Sequence, residues 1–477
     1  MTKLNELPVA VLGAGPVGLA AASHLVQRGL RPIIFERGDQ VGASLDTYRH
    51  VRLFSPWQYN VDKAARQLLA RHGWQAPPND GLPTAGELLD SYLAPLSNLP
   101  EFVDALKLGH EVVQVTRQGF DKVKTRGRDL APFVIRVAGP GGEQDYLAQA
   151  VIDATGTWSN PSPLGANGVP ALGERNLGDR IAYGMPDVAG TMRADYAGKR
   201  TLVVGAGHSA AGTLLALAEL AETVPGTSIV WATRGDQLAR VFGGGEADGL
   251  PARGQLGLRL KALRDSRKLE LHTNFRTVAL QAEGGGTIEV IGEKPDGQHE
   301  MIGGVDRIVA ATGARPNLEM TREMRVRHDP WLESTDALAP LIDPNEHSCG
   351  TVRPHGHREL AHPEPGYYAV GAKSYGRAPN FLMATGYEQA RSVVARLAGD
   401  MAAADEVQLD LPETGVCNTR FAYGEEVEAD KGCCGGPAAD AGAACCALDE
   451  AEKAKGQAGC STLAACSPRS NSSACCA

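Results

Sequence analysis

"VAVLGAGPVGLAAASHLVQRGLRPIIFER", residues 9–37, decides the fold. It opens on a short apolar run of strand type, Val9–Leu12, and Gly13-x-Gly15-x-x-Gly18 follows at once. A helical pattern then runs to Gly29, a residue suited to capping it. A second strand, Arg31–Phe35, leads into Glu36 and Arg37. Gly13 permits a tight turn, Gly15 lets a pyrophosphate approach the backbone, and Gly18 lets helix and strand pack closely. Free N–H groups at the helix start can take phosphates. Glu36 stands 18 residues after Gly18, where a carboxylate accepts hydrogen bonds from both ribose hydroxyls. The stretch predicts a dinucleotide-binding unit that uses Gly13, Ala14, Gly15, Pro16, Gly18, Glu36 and Arg37. A glycine-rich turn without a ligand is the plainer alternative.

"KRTLVVGAGHSAAGTLLALAEL", residues 199–220, repeats the plan. Thr201–Val204 reads as a strand, then come Gly205-x-Gly207-x-x-Ala210 and an Ala/Leu-rich helix. The next strand, "TSIVWATR", ends near Arg234, and no carboxylate stands where Glu36 stood. A carboxylate there would repel a 2′-phosphate, whereas a guanidinium binds one bidentately. The pattern predicts NADPH over NADH, held by Gly205, Gly207, His208, Ser209, Ala210 and Arg234. A solvated surface arginine is the alternative for Arg234. Each unit ends on a similar strand, "AVIDATGTWSNP" at 150–161 and "RIVAATGARPN" at 307–317. The glycine of each turn, in Thr155-Gly156 and Thr312-Gly313, lets the chain pass close to a cofactor.

The whole chain has 477 residues, too many for one core. Its net charge of −9 gives no footprint for nucleic acid. It has no apolar run long enough to span a bilayer, and the N-terminus has no signal-peptide pattern. The expectation is a cytoplasmic protein with reduced thiols. Near residue 403 the composition turns to Ala, Gly, Ser, Cys and acidic residues, too little apolar surface to offset the entropy of ordering. Residues 405–477 are therefore expected to form a flexible tail. Nine of the ten cysteines lie in it, eight of them in the last 45 residues, including the pairs Cys433-Cys434, Cys445-Cys446 and Cys475-Cys476. Thiolates select soft ions, and trivalent arsenic or antimony takes two or three sulfur ligands. These six residues are candidate metalloid ligands; a thiol relay or a functionless low-complexity tail are the alternatives. A separate segment holds His347, Cys349, His355, His357 and His362 at spacings that suit zinc poorly. Cys349 is the candidate substrate-facing thiol, against an incidental thiol on a surface loop.

The paired glycine motifs, the paired Ala-Thr-Gly turns and the late "YYAVGAKSYG" resemble the two-dinucleotide-domain flavoproteins. That resemblance implies an α/β chain with two Rossmann-like domains: 1–190 and 311–404 for FAD, 191–310 inserted between them for NAD(P)H, then the tail at 405–477. It places Gly371 at the ribityl chain and aims a helix beginning near Gly386 at the flavin. Many relatives carry Gly-Asp at the late motif, where this chain has Ala372-Lys373. Disulfide reductases of this architecture need a redox dithiol, yet no cysteine precedes Cys349 and no CxxC or CxxxxC spacing occurs. "GKRTLVVGAGHSA" and "VGASLDTYRHVRLFSPW" resemble the flavin monooxygenases instead, although the histidine of their fingerprint is absent from "YGMPDVAGTMRADYAGKR". The tail and "YGRAPNFLMATGYEQARS" resemble flavoproteins of bacterial arsenic-resistance operons. This implies an NADPH- and FAD-dependent monooxygenase that uses O2 to oxidise a trivalent arsenical or antimonite. A flavin reductase passing electrons to a protein or thiol, and a metalloid-binding protein with an accessory flavin domain, are the alternatives.

Overall fold

Two five-stranded parallel sheets, built to one plan, organise the molecule. The computed structural model describes residues 4–409, leaving aside 244, 246, 247, 249, 347–351, 353 and 380. Cys349, His347 and every tail cysteine lie outside the described residues. Strand β1 (Val9–Leu12) leads into helix α1 (Pro16–Gln27), which ends at Arg28 with Gly29 at φ 71°, and then into β2 (Pro32–Phe35). β3 (Leu106–Lys107) extends the sheet. An antiparallel ribbon follows, of β4 (Glu111–Arg117), β5 (Phe133–Gly139) and β6 (Gly142–Ala148). In β5 the buried residues Phe133, Ile135 and Val137 alternate with outward ones, the period of a sheet with one covered face. The chain then returns beside β1 as β7 (Ala150–Asp153).

The second unit repeats this order. β8 (Ile181–Tyr183) precedes β9 (Arg200–Val204), α2 (His208–Thr223) and β10 (Ser228–Ala232). After α3 (Pro251–Asp265) come β11 (Glu270–His272) and a second antiparallel ribbon, β12 (Arg276–Ala282), β13 (Ile288–Glu293) and β14 (His299–Val305). β15 (Arg307–Ala310) closes beside β9. The first sheet gains its last strand, β16 (Tyr367–Ala369), only after the second unit is complete, so the second unit is inserted into the first. The strand orders are β16-β7-β1-β2-β3 and β8-β15-β9-β10-β11.

β1, β7, β9 and β10 read as almost continuous apolar runs because their sheets are covered on both faces. α1 is buried from Val17 to Leu25, packed between helix Lys63–Arg71 and α4 (Met383–Leu397). α4 starts at Met383, three residues ahead of the expected Gly386, because Leu382 is already extended and caps it. α5 (Met401–Asp405) and residues 406–408 then lie back along α4. Ser392 Oγ donates to Ala404 O at 2.6 Å, Gln408 N–H donates to Glu388 Oε1 at 3.1 Å, and Arg391 reaches Glu406 O. The chain is therefore held on the core beyond residue 405, the expected start of the tail. No helix of the described residues is long and apolar enough to cross a membrane.

Candidate active site

The first glycine of each motif touches the Ala-Thr-Gly turn of its own unit. Gly13 has φ 92°, and a methyl group there would stand 2.9 Å from Ala154 O. Gly205 repeats the contact, its methyl 2.3 Å from Ala311 O. The two sequence motifs thus belong together because one backbone must lie against the other. Gly18 serves closeness of another kind: a methyl there would meet Gly13 O at 2.0 Å. Around Gly15 no described atom lies within 4 Å of a methyl position, so the α1 N-terminus is open to a ligand.

A cavity of about 450 Å³ opens at these carboxyl ends of the first sheet. Gly13, Gly15, Pro16, Glu36, Arg37, Thr155, Gly156 and Gly371 line it. The Glu36 carboxylate accepts N–H bonds from Ala14 and Gly38, each at 2.8 Å, which fixes it at the end of β2. Of the expected first-site residues, Ala14, Gly18 and Gly386 are absent from the wall. Ala14 and Gly18 support the turn from beneath. Gly386 makes room, since a methyl there would stand 2.7 Å from Val17 Cγ2 and 2.9 Å from Phe381 Cζ.

Behind the cavity lies the departure at Ala372-Lys373. Lys373 is buried, its Nζ 2.6 Å from Asp153 Oδ2 and 3.0 Å from Thr155 Oγ1. Asp153 also accepts from Thr155 Oγ1 at 2.7 Å and from the Tyr367 hydroxyl at 3.0 Å. Burial alone would push the Asp153 carboxyl up, but the Lys373 ammonium and the Thr155 hydrogen bonds hold it below its ordinary value. Gly371 has φ 70°, and its N–H donates to Gln389 Oε1 at 2.7 Å. The Lys373 ion pair thus braces the Thr155 wall of the cavity from inside the sheet.

The described histidines of the His-rich segment diverge. His355 Nε2 lies 2.9 Å from Gln389 Nε2, and His357 Nε2 lies 2.9 Å from Asp405. His362 Nδ1 accepts the Arg327 N–H at 3.2 Å, while burial and the neighbouring His328 lower its pKa to about 4. No cluster that could hold a metal occurs among the described residues.

In the second unit Gly207 caps α2, and Ala210 is buried beneath it. Gly13 N–H donates to Phe35 O and Gly205 N–H to Ala232 O, so the register makes Thr233 the counterpart of Glu36 and Arg234 that of Arg37. Thr233 turns inward, its Oγ1 donating to Gly235 O at 2.8 Å, while Arg234 is exposed. A second cavity of about 580 Å³ is lined by His208 and Ser209 but not by Gly205, Gly207, Ala210 or Arg234. Its wall is mainly apolar, with Leu53, Phe54, Leu215 and Leu256, and carries Arg52 and Arg259.

Tyr48, Trp158, Phe381 and Met383 line both cavities. None of the four was expected from the sequence. They come from three distant segments, and as apolar residues they read simply as core; the one available signal was that Trp158 stands two residues after the glycine of an Ala-Thr-Gly turn. The Tyr48 and Trp158 rings lie 4.6 Å apart, and burial pushes the Tyr48 hydroxyl up to about 12.

The chain is similar to known proteins along most of its described length. It is 29% identical over 201 residues to the thiamine thiazole synthase of Pyrobaculum arsenaticum, spanning 41% of this chain and 72% of that protein. The fold is similar to the bacillithiol disulfide reductase of Bacillus cereus, at TM-score 0.61 and 17% identity over 82% of this chain and 99% of that one. It is also similar to the FAD-bound cadaverine monooxygenase DfoA of Erwinia amylovora, at TM-score 0.58 and 14% identity over 89% and 100%. Residues 10–349 match the family model for pyridine nucleotide-disulphide oxidoreductases. With both glycine turns, both Ala-Thr-Gly strands and both cavities in place, the chain belongs to that family and is a flavin-dependent NAD(P)H oxidoreductase whose cofactors are FAD and NADPH.

Proposed function

We propose that this protein is an NADPH- and FAD-dependent monooxygenase that oxidises a trivalent arsenical or antimonite. In this reading the unit that β16 completes holds FAD, the inserted unit from β8 to β15 holds NADPH, beginning ahead of the expected boundary at residue 191, and the cysteine-rich tail captures the metalloid. The first cavity fits FAD on its own geometry. Gly15 offers an unobstructed helix start for the pyrophosphate, and Glu36 sits at the strand end where ribose hydroxyls would lie. His208 and Ser209 open α2 at the second cavity, where NADPH phosphates would meet the helix N-terminus. FAD held there would supply the acceptor for a hydride from NADPH and the donor of electrons to O2. The balanced reaction consumes NADPH, a proton and O2. One oxygen atom joins the arsenic lone pair to give the pentavalent species, and the other leaves as water.

The observation that carries the oxygenase reading is the wall between the cavities. It is made of Tyr48, Trp158, Phe381 and Met383, and no cysteine precedes residue 349 to supply a dithiol beside the flavin. The metalloid part rests on the three cysteine pairs and on the likeness to arsenic-resistance flavoproteins. NADPH and O2 consumption by the flavin-loaded protein tests it, with arsenite, antimonite and methylarsenite added in turn. The expected result is substrate-stimulated uptake of both, with a pentavalent product. NADPH oxidation without O2 uptake in the presence of a disulfide would favour the thiol-acceptor reading instead.

A further inference from the structure

We propose that Trp158 is a positioning residue, a clamped indole that separates the flavin cavity from the second cavity and holds what lies in each at reacting distance. The inference deepens the reading above and rests on its assignment of the two cavities.

The indole is fixed from three sides. Its Nε1–H donates to Thr47 Oγ1 at 2.8 Å, and Thr47 Oγ1 in turn donates to Ser44 O at 2.7 Å. The Tyr48 ring meets it at 4.6 Å with a tilt of 56°. On the far side lies Gly184, just after β8 of the inserted unit, with φ 89°. A methyl there would stand 2.8 Å from Trp158 Cη2 and 3.0 Å from Cζ2. Trp158, two residues past the glycine of the first Ala-Thr-Gly turn, is thus wedged against both units at once. Phe381 and Met383 continue the same wall, with Phe381 braced by Tyr375 at 5.3 Å. Four side chains so placed form a partly exposed apolar frontier that limits the freedom of groups on either side. That is the condition under which hydride transfer and oxygen transfer stay coupled.

Trp158→Ala opens the wall, and Gly184→Ala pushes the indole from behind without touching either cavity lining. Two readouts follow each variant. The first is the anaerobic rate of flavin reduction by NADPH, which needs no metalloid and no oxygenation. It therefore tests the partition even if arsenite is not the substrate. The second is the yield of hydrogen peroxide per NADPH in air, from NADPH, a proton and O2 giving NADP⁺ and H₂O₂.

With FAD still bound, Trp158→Ala should slow the reduction by roughly tenfold or more, in line with the cost of misplacing reacting groups. The peroxide yield should rise, and Gly184→Ala should shift both readouts in the same direction. Unchanged rate and peroxide yield in flavin-loaded Trp158→Ala overturn the proposal. Should that variant lose its flavin, the same unchanged readouts in Trp158→Leu, which keeps a smaller apolar wall, overturn it equally. Failure of arsenite to stimulate turnover, with the reduction rate still sensitive to Trp158, sinks the substrate and leaves the partition standing.

Discussion

Lys373 and Asp153 form a buried pair in which each charge depends on the other. Lys373→Met leaves the carboxylate buried without its counter-ion, a loss of about 3–5 kcal/mol at neutral pH. The loss should shrink as pH falls toward the usual carboxylate range, because burial without Lys373 raises the Asp153 carboxyl and lets it protonate there. Urea unfolding at neutral pH and at about pH 4 checks this. His362 gives the opposite kind of dependence. Its folded pKa, about 4, lies below the ordinary histidine value. The unfolded chain therefore takes up the proton first, and stability falls as pH drops from about 6.5 toward 4. About 2 kcal/mol should vanish between pH 7 and 5, and His362→Phe should remove that part of the slope in the same urea series. Arg234 is a simpler case. It is exposed at the end of β10, with a guanidinium free to approach a 2′-phosphate. Arg234→Ala should cost NADPH about 1.5–3 kcal/mol, about one to two decades in affinity, and leave NADH nearly unchanged. Equal weakening of both nucleotides in a titration would place the side chain on a shared group.

At the scale of elements, the segment after α4 matters most. The compositional break near residue 403 marks where apolar residues thin out, but it cannot register the hydrogen bonds made by residues 404–408. Glu388 and Arg391 are buried, and they use Gln408 N–H and Glu406 O as partners. A chain ending at residue 404 leaves those groups short of partners at about 1–3 kcal/mol each, while a chain ending at residue 409 keeps them. Thermal unfolding of the two truncations should therefore differ, with the shorter one melting earlier. The glycine motifs and strand-end turns were legible because backbone contacts dictate them. Ala154 O and Ala311 O leave no space for a methyl at Gly13 or Gly205, so the residue type is forced. The wall of Tyr48, Trp158, Phe381 and Met383 was not legible. Aromatic and apolar side chains carry the same signature whether they fill a core or face a cavity, and only the tertiary fold brings these four together.

At the scale of the molecule, the duplicated plan could be read from the sequence before any coordinate, and the cysteine pairs remain its unabsorbed feature. In the proposed reading they capture a metalloid and raise its local concentration, while oxidation occurs at the flavin. A short flexible tether gives an effective concentration of roughly millimolar. Removing the chain after residue 409 should therefore raise KM for the metalloid and leave kcat close to that of the full chain. Steady-state kinetics on both forms decides this, and a fall in kcat at constant KM would make the cysteines participants in turnover.

The late arrival of β16 has a consequence for how the protein is made. The inserted unit, from β8 to β15, is one continuous stretch of chain and can close as soon as it leaves the ribosome. The first sheet cannot. Its edge beside β7 stays open until Tyr367–Ala369 emerges, and α1 lacks its cover until α4 follows. At about 5–20 residues per second, that interval is roughly 10–40 s of translation with the FAD-binding half unfinished. During that time the apolar face of α1 and the unpaired edge of β7 are what a chaperone would bind, and the flavin can be captured only once β16 and α4 have emerged.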